Sequence, residues 1–426
     1  MDFRKAVSSK KVAALIPRVS GLADQAFLSG IYFVQTAAYS RHLSTSDFGA
    51  FSLFYYAIVL VLSVQRQTVI TPMIVSTTAS DTSHIRAWQR GGLLISALAA
   101  AAFLSAWAIE HFFLSGAPQG ALIYCAIGVA PLLAFEFHRR SLFFQRQPAL
   151  AALCSIVFFL MQAAGTLIAL WIGASLTVIV AIYIVTATAA ALLASYLSLR
   201  HVPRSTSRLA PLAREQKPLI LWGLASLAPY TVYNNAMPIL VGALYGLEQA
   251  AIFAATRILV APIMMLVSAV DSTDKPRAAR ALQDGGAPAM MKSLRNSAFS
   301  LLALGVPYLL VLMVFPETIL SLAVGPKYAS HTELIPFWII ISLAFLLGQP
   351  VESGLGVMRR ADLFFWSRLL AAVLTLGSLA FYRGDNGALA GVASIAWSWG
   401  ASAILAGAFL LMIIRRQAPR GPPADP

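Results

Sequence analysis

Charge is what this sequence has least of. Only 11% of its 426 residues are charged, against 59% hydrophobic, and the mean hydropathy is +0.75. A soluble chain normally carries about 25% charged residues. Too little polar surface remains here to face water, so lipid is the expected solvent. Cysteine is scarcer still. The 2 cysteines, Cys125 and Cys154, lie inside apolar stretches, which excludes a disulfide framework and a thiolate metal site. A nucleotide-binding GxxxxGK[ST] loop is missing, as are HExxH and GxSxG. The 6 histidines are scattered and form no ligand set. No catalytic residue, metal or cofactor is expected, and the chain does not read as an enzyme.

What is present is a succession of apolar stretches of the roughly 20 residues that a spanning helix needs. They run over 19–39, 48–75, 91–114, 121–144, 149–172, 176–199, 219–245, 250–270, 294–314, 334–357, 363–382 and 389–414. The fold class expected is all-α, a polytopic membrane protein of about twelve transmembrane helices. The first residues, 1–18, carry Arg4, Lys5, Lys10, Lys11 and Arg18 and show no small-residue cleavage site. They read as a retained cytoplasmic segment.

The net charge of +14 would suggest nucleic acid on a soluble protein. Its distribution gives a different reason, and no nucleic-acid partner is expected. Alternate connections are basic. They hold Arg86 and Arg90; Arg139, Arg140 and Arg146; Arg200, Arg204, Arg208, Arg214 and Lys217; Lys275, Arg277, Arg280, Lys292 and Arg295; and Arg359, Arg360 and Arg368. The tail adds Arg415, Arg416 and Arg420, while the intervening connections hold only Arg41, Lys327 and Arg383. Basic loops stay in the cytoplasm. Both termini and the central loop are therefore expected inside. Trp107, Trp171, Trp338, Trp88, Trp222 and Trp366 fall near predicted span ends, as in an interfacial belt, and Trp397 and Trp399 read as packing residues.

The central basic loop divides the chain. The expected organisation is an N-lobe over 19–200, a basic linker over 201–217, a C-lobe over 218–414 and a tail over 415–426. An even number of spans before the linker permits a parallel repeat. Gly21-Leu22-Ala23 has a counterpart in Gly223-Leu224-Ala225, and at the same offset Phe51 falls on Phe253 and Tyr32 on Asn234.

Polar residues at membrane depth must face protein or a water-filled cavity. In the first span Gln25, Ser29, Tyr32, Thr36 and Tyr39 share one helical face. The seventh offers Ser226, Tyr230, Tyr233 and Asn234, together with Pro229 and Pro238, which weaken its hydrogen-bond ladder and allow a bend. Singly, each residue is explained by helix–helix hydrogen bonding; together they suggest a cavity. Arg66 in the second span and Arg257 in the eighth each cost about 2.5–3.5 kcal/mol to insert. Pairing with a backbone carbonyl or a distant carboxylate would excuse them, and so would a cavity role. The acids Asp24, Glu136, Asp271 and Glu352 lie toward cytoplasmic ends, so the two arginines read as unpaired positive charge. Such a cavity prefers anions, and guanidinium matches phosphate oxygens best.

The opening, from Gly21-Leu22-Ala23-Asp24-Gln25-Ala26 through Arg41-His42-Leu43-Ser44 to Asp47-Phe48-Gly49-Ala50-Phe51, resembles the polysaccharide transporter family. These are flippases for O-antigen and exopolysaccharide repeat units, within the superfamily of multidrug, oligosaccharidyl-lipid and polysaccharide exporters. Glu248 to Ala254 looks like a degenerate copy of that first hairpin. The resemblance implies two six-helix lobes around a central cavity lined by the first and seventh helices. It implies alternating access and a cargo of undecaprenyl-diphosphate-linked oligosaccharide, flipped across the bacterial inner membrane. Substrate contacts would come from Arg257, Arg66, Gln25, Ser29, Tyr32, Thr36, Tyr230 and Asn234. Besides the lipid-linked oligosaccharide, the partners implied are membrane lipids and other glycan-assembly membrane proteins. A cation-coupled multidrug antiporter of the same superfamily would want cavity acids, for which Asp24 is the candidate. A polymerase or ligase of glycan assembly would want a large external loop, and a non-transporting scaffold would not require buried arginines.

Overall fold

Apolar runs of this length enter lipid only if every backbone N–H and C=O is satisfied within the segment, and the helix is the way to do so in a single span. The computed structural model, which describes residues 3–76, 82, 84–113, 121–200, 202–203, 208–358, 360–382, 384 and 386–417, is helical throughout, with no strand among the described residues. The basic side chains of the N-terminal segment, of Arg204 in the linker and of Arg415, Arg416 and Arg420 in the tail lie outside the described residues.

The helices follow in order. Helix α1 is Phe3–His42 and α2 is Thr45–Gln65, which runs through a π-helical turn at Arg66–Ile70 into α3, Thr71–Ser76. Then come α4 (Ile85–Phe113), α5 (Ala121–Phe144), α6 (Pro148–Trp171), α7 (Leu176–Leu199) and the short α8 (Leu209–Glu215). Next are α9 (Lys217–Asn234), α10 (Met237–Tyr245) and α11 (Leu247–Arg257), a 3-10 turn at Ile258–Val260, and α12 (Ala261–Val314). The last are α13 (Pro316–Val324), α14 (Ile335–Val357), α15 (Ala361–Phe381) and α16 (Gly387–Gln417).

Among the described residues, 9 helices are long and apolar enough to cross a membrane, and Phe365–Phe381 is a shorter apolar one. The first and seventh expected spans fall outside that set for local reasons. Helix α1 is diluted by its polar face. The seventh span is broken into α9 and α10 at Asn235–Ala236, between the two prolines. Counted with those two, the helices occupy all the expected stretches of this all-α, multi-pass membrane protein.

The chain falls into two compact units, one of Met1–Ala228 with Pro238–Ala254, the other of Pro229–Met237 with Ala255–Pro426. In the first unit, Val69, Ile70, Met73, Ile85, Trp88, Phe137 and Val202 form a buried cluster, with Leu209 and Leu212 of α8 packed against it. Part of the linker is thus docked rather than free-running. Arg86 holds it further, Nε donating to the Pro203 carbonyl at 3.1 Å and Nη2 to the Val202 carbonyl at 3.2 Å. The hairpin from α1 to α2 is capped by Ser44, whose Oγ accepts the Asp47 N–H at 3.0 Å. Just inside α2, Gly49 passes so close to the carbonyl of Leu247 that no side chain could fit there.

In the second unit, α12 packs along α14, and α14 and α15 pack against α16. Ala278, Met290, Leu294, Leu355, Ala406 and Leu410 make one buried cluster; Ile263, Val267, Leu301, Leu309 and Leu346 make another. Helix α12 is two helices. The chain leaves helical geometry at Gly285 and Gly286, where φ is 66°, a value open to glycine at no steric cost.

The tryptophan expectations need correction. Trp171, Trp222 and Trp366 are exposed, as lipid-facing anchors are, but Trp88 and Trp338 are buried core residues. Trp397, expected to pack, is 64% exposed. Trp399 does pack, 5.2 Å from the Tyr233 ring and 4.2 Å from that of Phe345.

Candidate functional site

The first unit gathers charge around one turn of α5. Glu136 and Arg139 are three residues apart on that helix, and Glu136 and Arg140 four, so all three project together. Arg139 is ion-paired with Glu136 and with Asp24 of α1, and its side chain and that of Asp24 are each 1% exposed. Ser155 Oγ of α6 donates to the other Asp24 oxygen at 2.5 Å. Arg140 Nε lies 2.9 Å from Glu136 Oε1, and Arg66 Nη2 lies 3.2 Å from the same oxygen. Three guanidiniums thus surround two carboxylates. Removing one partner of so buried a pair costs about 3–5 kcal/mol.

This overturns two expectations. Arg66 is not unpaired: Glu136 partners it, although its side chain is 51% exposed. Arg139 is not a loop cation; it lies inside α5 and ties that helix to α1. The signal was in the sequence, since Glu136, Arg139 and Arg140 all fall within the apolar stretch 121–144 at helical spacing.

The polar face of α1 divides along its length. Gln25 is exposed and donates to Asp24 at 3.1 Å, and Ser29 is half-buried. The Tyr32 hydroxyl meets that of Tyr56 at 2.8 Å, and its ring stacks on Tyr55. Farther along, Thr36 is buried, Gln35 donates to Gln162 at 2.8 Å and Tyr39 bonds to Thr166 at 2.9 Å. That end is a polar seam between α1 and α6. Of the predicted contacts on α1, Gln25, Ser29 and Tyr32 keep accessible surface in this conformation.

The second unit brings the remaining predicted residues together. Arg257 Nη1 donates to the Asn234 carbonyl at 2.6 Å, and Nη2 donates to Asn234 Oδ1 at 3.1 Å. Asn234 Nδ2 donates to the Tyr230 hydroxyl at 2.5 Å. Arg368, which the sequence placed in a cytoplasmic loop, stands over the Tyr230 ring at 5.0 Å and lies 3.8 Å from Glu352. It belongs to α15, and no spacing in the sequence announced it. Tyr233 is buried between neighbours, its ring 5.7 Å from that of Tyr230 and 5.2 Å from that of Trp399.

The positions follow from the backbone. Helix α9 stops at Asn234, where the Thr231 carbonyl accepts both Asn235 N–H, at 3.0 Å, and Ala236 N–H, at 2.8 Å. The terminal carbonyls of a helix carry partial negative charge, and a cation placed there is stabilising. Arg257 occupies that place. Arg257 thus meets Asn234 at the helix break, and Arg368, which also faces Glu352, stands over the ring of Tyr230. Such an arrangement can hold an oxyanion by charge-assisted hydrogen bonds and orient hydroxyl-rich groups beside it. No group of three or more metal-ligating side chains occurs among the described residues.

No protein-family model matches the sequence, and no curated protein does. Solved structures do match over nearly the whole chain. An inward-facing multidrug resistance MATE transporter of the MOP superfamily is 12% identical with a TM-score of 0.67, covering 92% of this chain and 96% of its own. The lipid II flippase MurJ in an inward closed conformation is 12% identical with a TM-score of 0.67, covering 94% of this chain and 87% of its own. A MOP superfamily transporter from Pyrococcus furiosus, described as having a binding pocket of reversed polarity, is 16% identical with a TM-score of 0.55, covering 94% of both chains. At these identities the likeness is one of fold.

Proposed function

We propose that this protein is a flippase that moves an anionic, lipid-linked oligosaccharide, of the undecaprenyl-diphosphate class, from the cytoplasmic to the outer leaflet of the bacterial inner membrane. The observation that carries the reading is the fork of Arg257 on Asn234 at the break in the seventh span, where Asn234 also donates to Tyr230 and Arg368 stands over the Tyr230 ring. Guanidinium is the side chain best matched to phosphate oxygens, and a broken helix at membrane depth is tolerated where it lines a cavity. The fold shared with MATE transporters and with a protein named as a lipid II flippase supports transport and a lipid-linked cargo. The cargo would bring its diphosphate to Arg257 and its sugars to hydroxyls and amides such as Tyr230, Gln25, Ser29 and Tyr32. Surface-polysaccharide assembly is the pathway class, with other glycan-assembly membrane proteins as partners.

A cation-coupled multidrug antiporter is the second reading, favoured by the MATE likeness. It would rely on the buried carboxylates Asp24 and Glu136. Those are already engaged by arginines, which leaves them poorly suited to cationic drugs.

The organisation that goes with this reading is an N-lobe over 19–200 and a C-lobe over 218–414 rocking in alternating access, with the linker and both termini cytoplasmic. Single cysteines engineered at Thr206 and Ser330 test the orientation. A membrane-impermeant reagent added from outside should label Ser330→Cys and spare Thr206→Cys, and the opposite pattern would invert the protein. Arg257→Ala should abolish surface-glycan export while the folded protein stays in the membrane. Arg257→Lys should recover part of it at most, because an ammonium supplies charge without a planar fork. Normal export by a stable Arg257→Ala protein would refute the assignment.

A further inference from the structure

In an unbroken helix the carbonyl of Asn234 would accept the N–H of the fourth residue on. That residue is Pro238, which has no N–H. The donor that reaches the carbonyl is Arg257 Nη1, at 2.6 Å, while Nη2 takes the same residue's Oδ1 at 3.1 Å. The arginine stands in for the hydrogen that proline removed. Around it the backbone is irregular on both sides. Helix α9 ends at Asn234, and directly after Arg257 the chain tightens into the 3-10 turn Ile258–Val260. The Leu259 carbonyl in that turn accepts from the Tyr308 hydroxyl at 2.7 Å. The chain also passes from one compact unit to the other after Met237 and again after Ala254, so the Asn234–Arg257 bond ties two segments that each adjoin a crossing.

We propose that Arg257 is a latch with exchangeable partners: it holds the end of α9 through Asn234 when no cargo is present, and it hands those bonds over to a phosphate oxyanion when cargo arrives. The inference rests on the reading above that the cargo is anionic. The exchange keeps the geometry of the fork. The two N–H groups that meet a carbonyl and an amide oxygen can meet two phosphate oxygens in the same fork geometry. An oxyanion adds its own charge to bonds that the guanidinium already assists, so phosphate competes with Asn234 for the fork. Once phosphate holds it, the Asn234 carbonyl has lost its arginine donor, and Pro238 cannot supply an N–H in its place. The last turn of α9 then loosens, and the join between α9 and α10 becomes free to change. Arg257 would thereby be a positioning residue as well as a cargo contact, converting the arrival of a phosphate into a change of the seventh span.

Hydrogen–deuterium exchange on the full-length protein in lipid vesicles, with inorganic pyrophosphate as the probe, tests this. Pyrophosphate should raise the exchange of the amides of Asn235, Ala236 and Met237 about tenfold, the equivalent of roughly 1.4 kcal/mol. Pro238→Ala restores the missing N–H. In that variant pyrophosphate should still bind, measured by calorimetry, but the rise in exchange should be lost. Arg257→Ala should show fast exchange without pyrophosphate and no further rise with it. Arg257-dependent pyrophosphate binding with unchanged exchange at 235–237 would overturn the latch and leave the anionic-cargo reading standing. No pyrophosphate binding by the unaltered protein would overturn both. A rise that persists in Pro238→Ala would show that the missing proline hydrogen plays no part, and would overturn the latch as stated.

Discussion

The two arginines that the sequence singled out meet opposite kinds of partner. In the first unit, Arg66 joins a cluster in which Glu136 and Asp24 cancel most of the charge of Arg139, Arg140 and Arg66 itself. In the second, Arg257 donates to the backbone carbonyl and the side-chain oxygen of Asn234. Carboxylates cancel a guanidinium's charge, whereas carbonyl and amide oxygens satisfy its hydrogen bonds and leave the charge in place. A buried network of opposite charges is costly to break and serves to fix helices. A cation held by neutral oxygens can be offered to an incoming anion. On the function proposed above, the same residue type at membrane depth would serve two ends, fixing helices at Arg139 and receiving cargo at Arg257.

The largest effect expected from this contrast lies in the first unit. Arg139→Ala strands Asp24 in a buried site and should cost about 3–5 kcal/mol. Read as the fraction of monodisperse protein surviving mild heating in detergent, the loss should be nearly complete. Combining Asp24→Asn with Arg139→Gln should recover much of it, because no lone charge is left behind. A fully stable Arg139→Ala protein would break the contrast by showing that the cluster does not hold α1 to α5.

That cluster also marks how far the sequence could be read. The hydropathy pattern located the nine candidate spans and the shorter apolar helix among the described residues, because the lipid requirement for satisfied backbone is strict and local. The break in the seventh span was legible in Pro229 and Pro238, since proline acts on its own backbone. Arg257 and Arg66 stood out because charge in an apolar run is conspicuous. Their partners did not. Glu136 and Arg139 share a helical face within the stretch 121–144, but the pairing of Arg139 with Asp24 joins helices far apart in the chain. Arg368 was missed for the same reason, as nothing local to α15 points to Tyr230. Long-range partnership is a property of packing, and periodicity within one helix does not encode it.

The smallest effect expected is at Arg66. Its side chain is 51% exposed and shares Glu136 Oε1 with Arg140. Removing it should change stability by only about 0–1 kcal/mol. Arg66→Ala should therefore yield folded protein in normal amount, measured by its thermal midpoint, with any loss of export graded rather than complete. A loss of folding as severe as that of Arg139→Ala would place Arg66 with the helix-fixing charges and sharpen the contrast to Arg257 alone.

The central claim is that the charge of Arg257 is there for an anionic cargo. The most direct measurement is flipping in proteoliposomes of a fluorescent short-chain polyprenyl-diphosphate glycan beside an uncharged polyprenyl glycoside bearing the same sugar. The unaltered protein should move the diphosphate lipid and leave the uncharged one, and Arg257→Ala should slow the diphosphate lipid at least about tenfold, the equivalent of roughly 1.4 kcal/mol. Equal movement of both lipids, or undiminished movement of the diphosphate lipid by Arg257→Ala, would contradict the account.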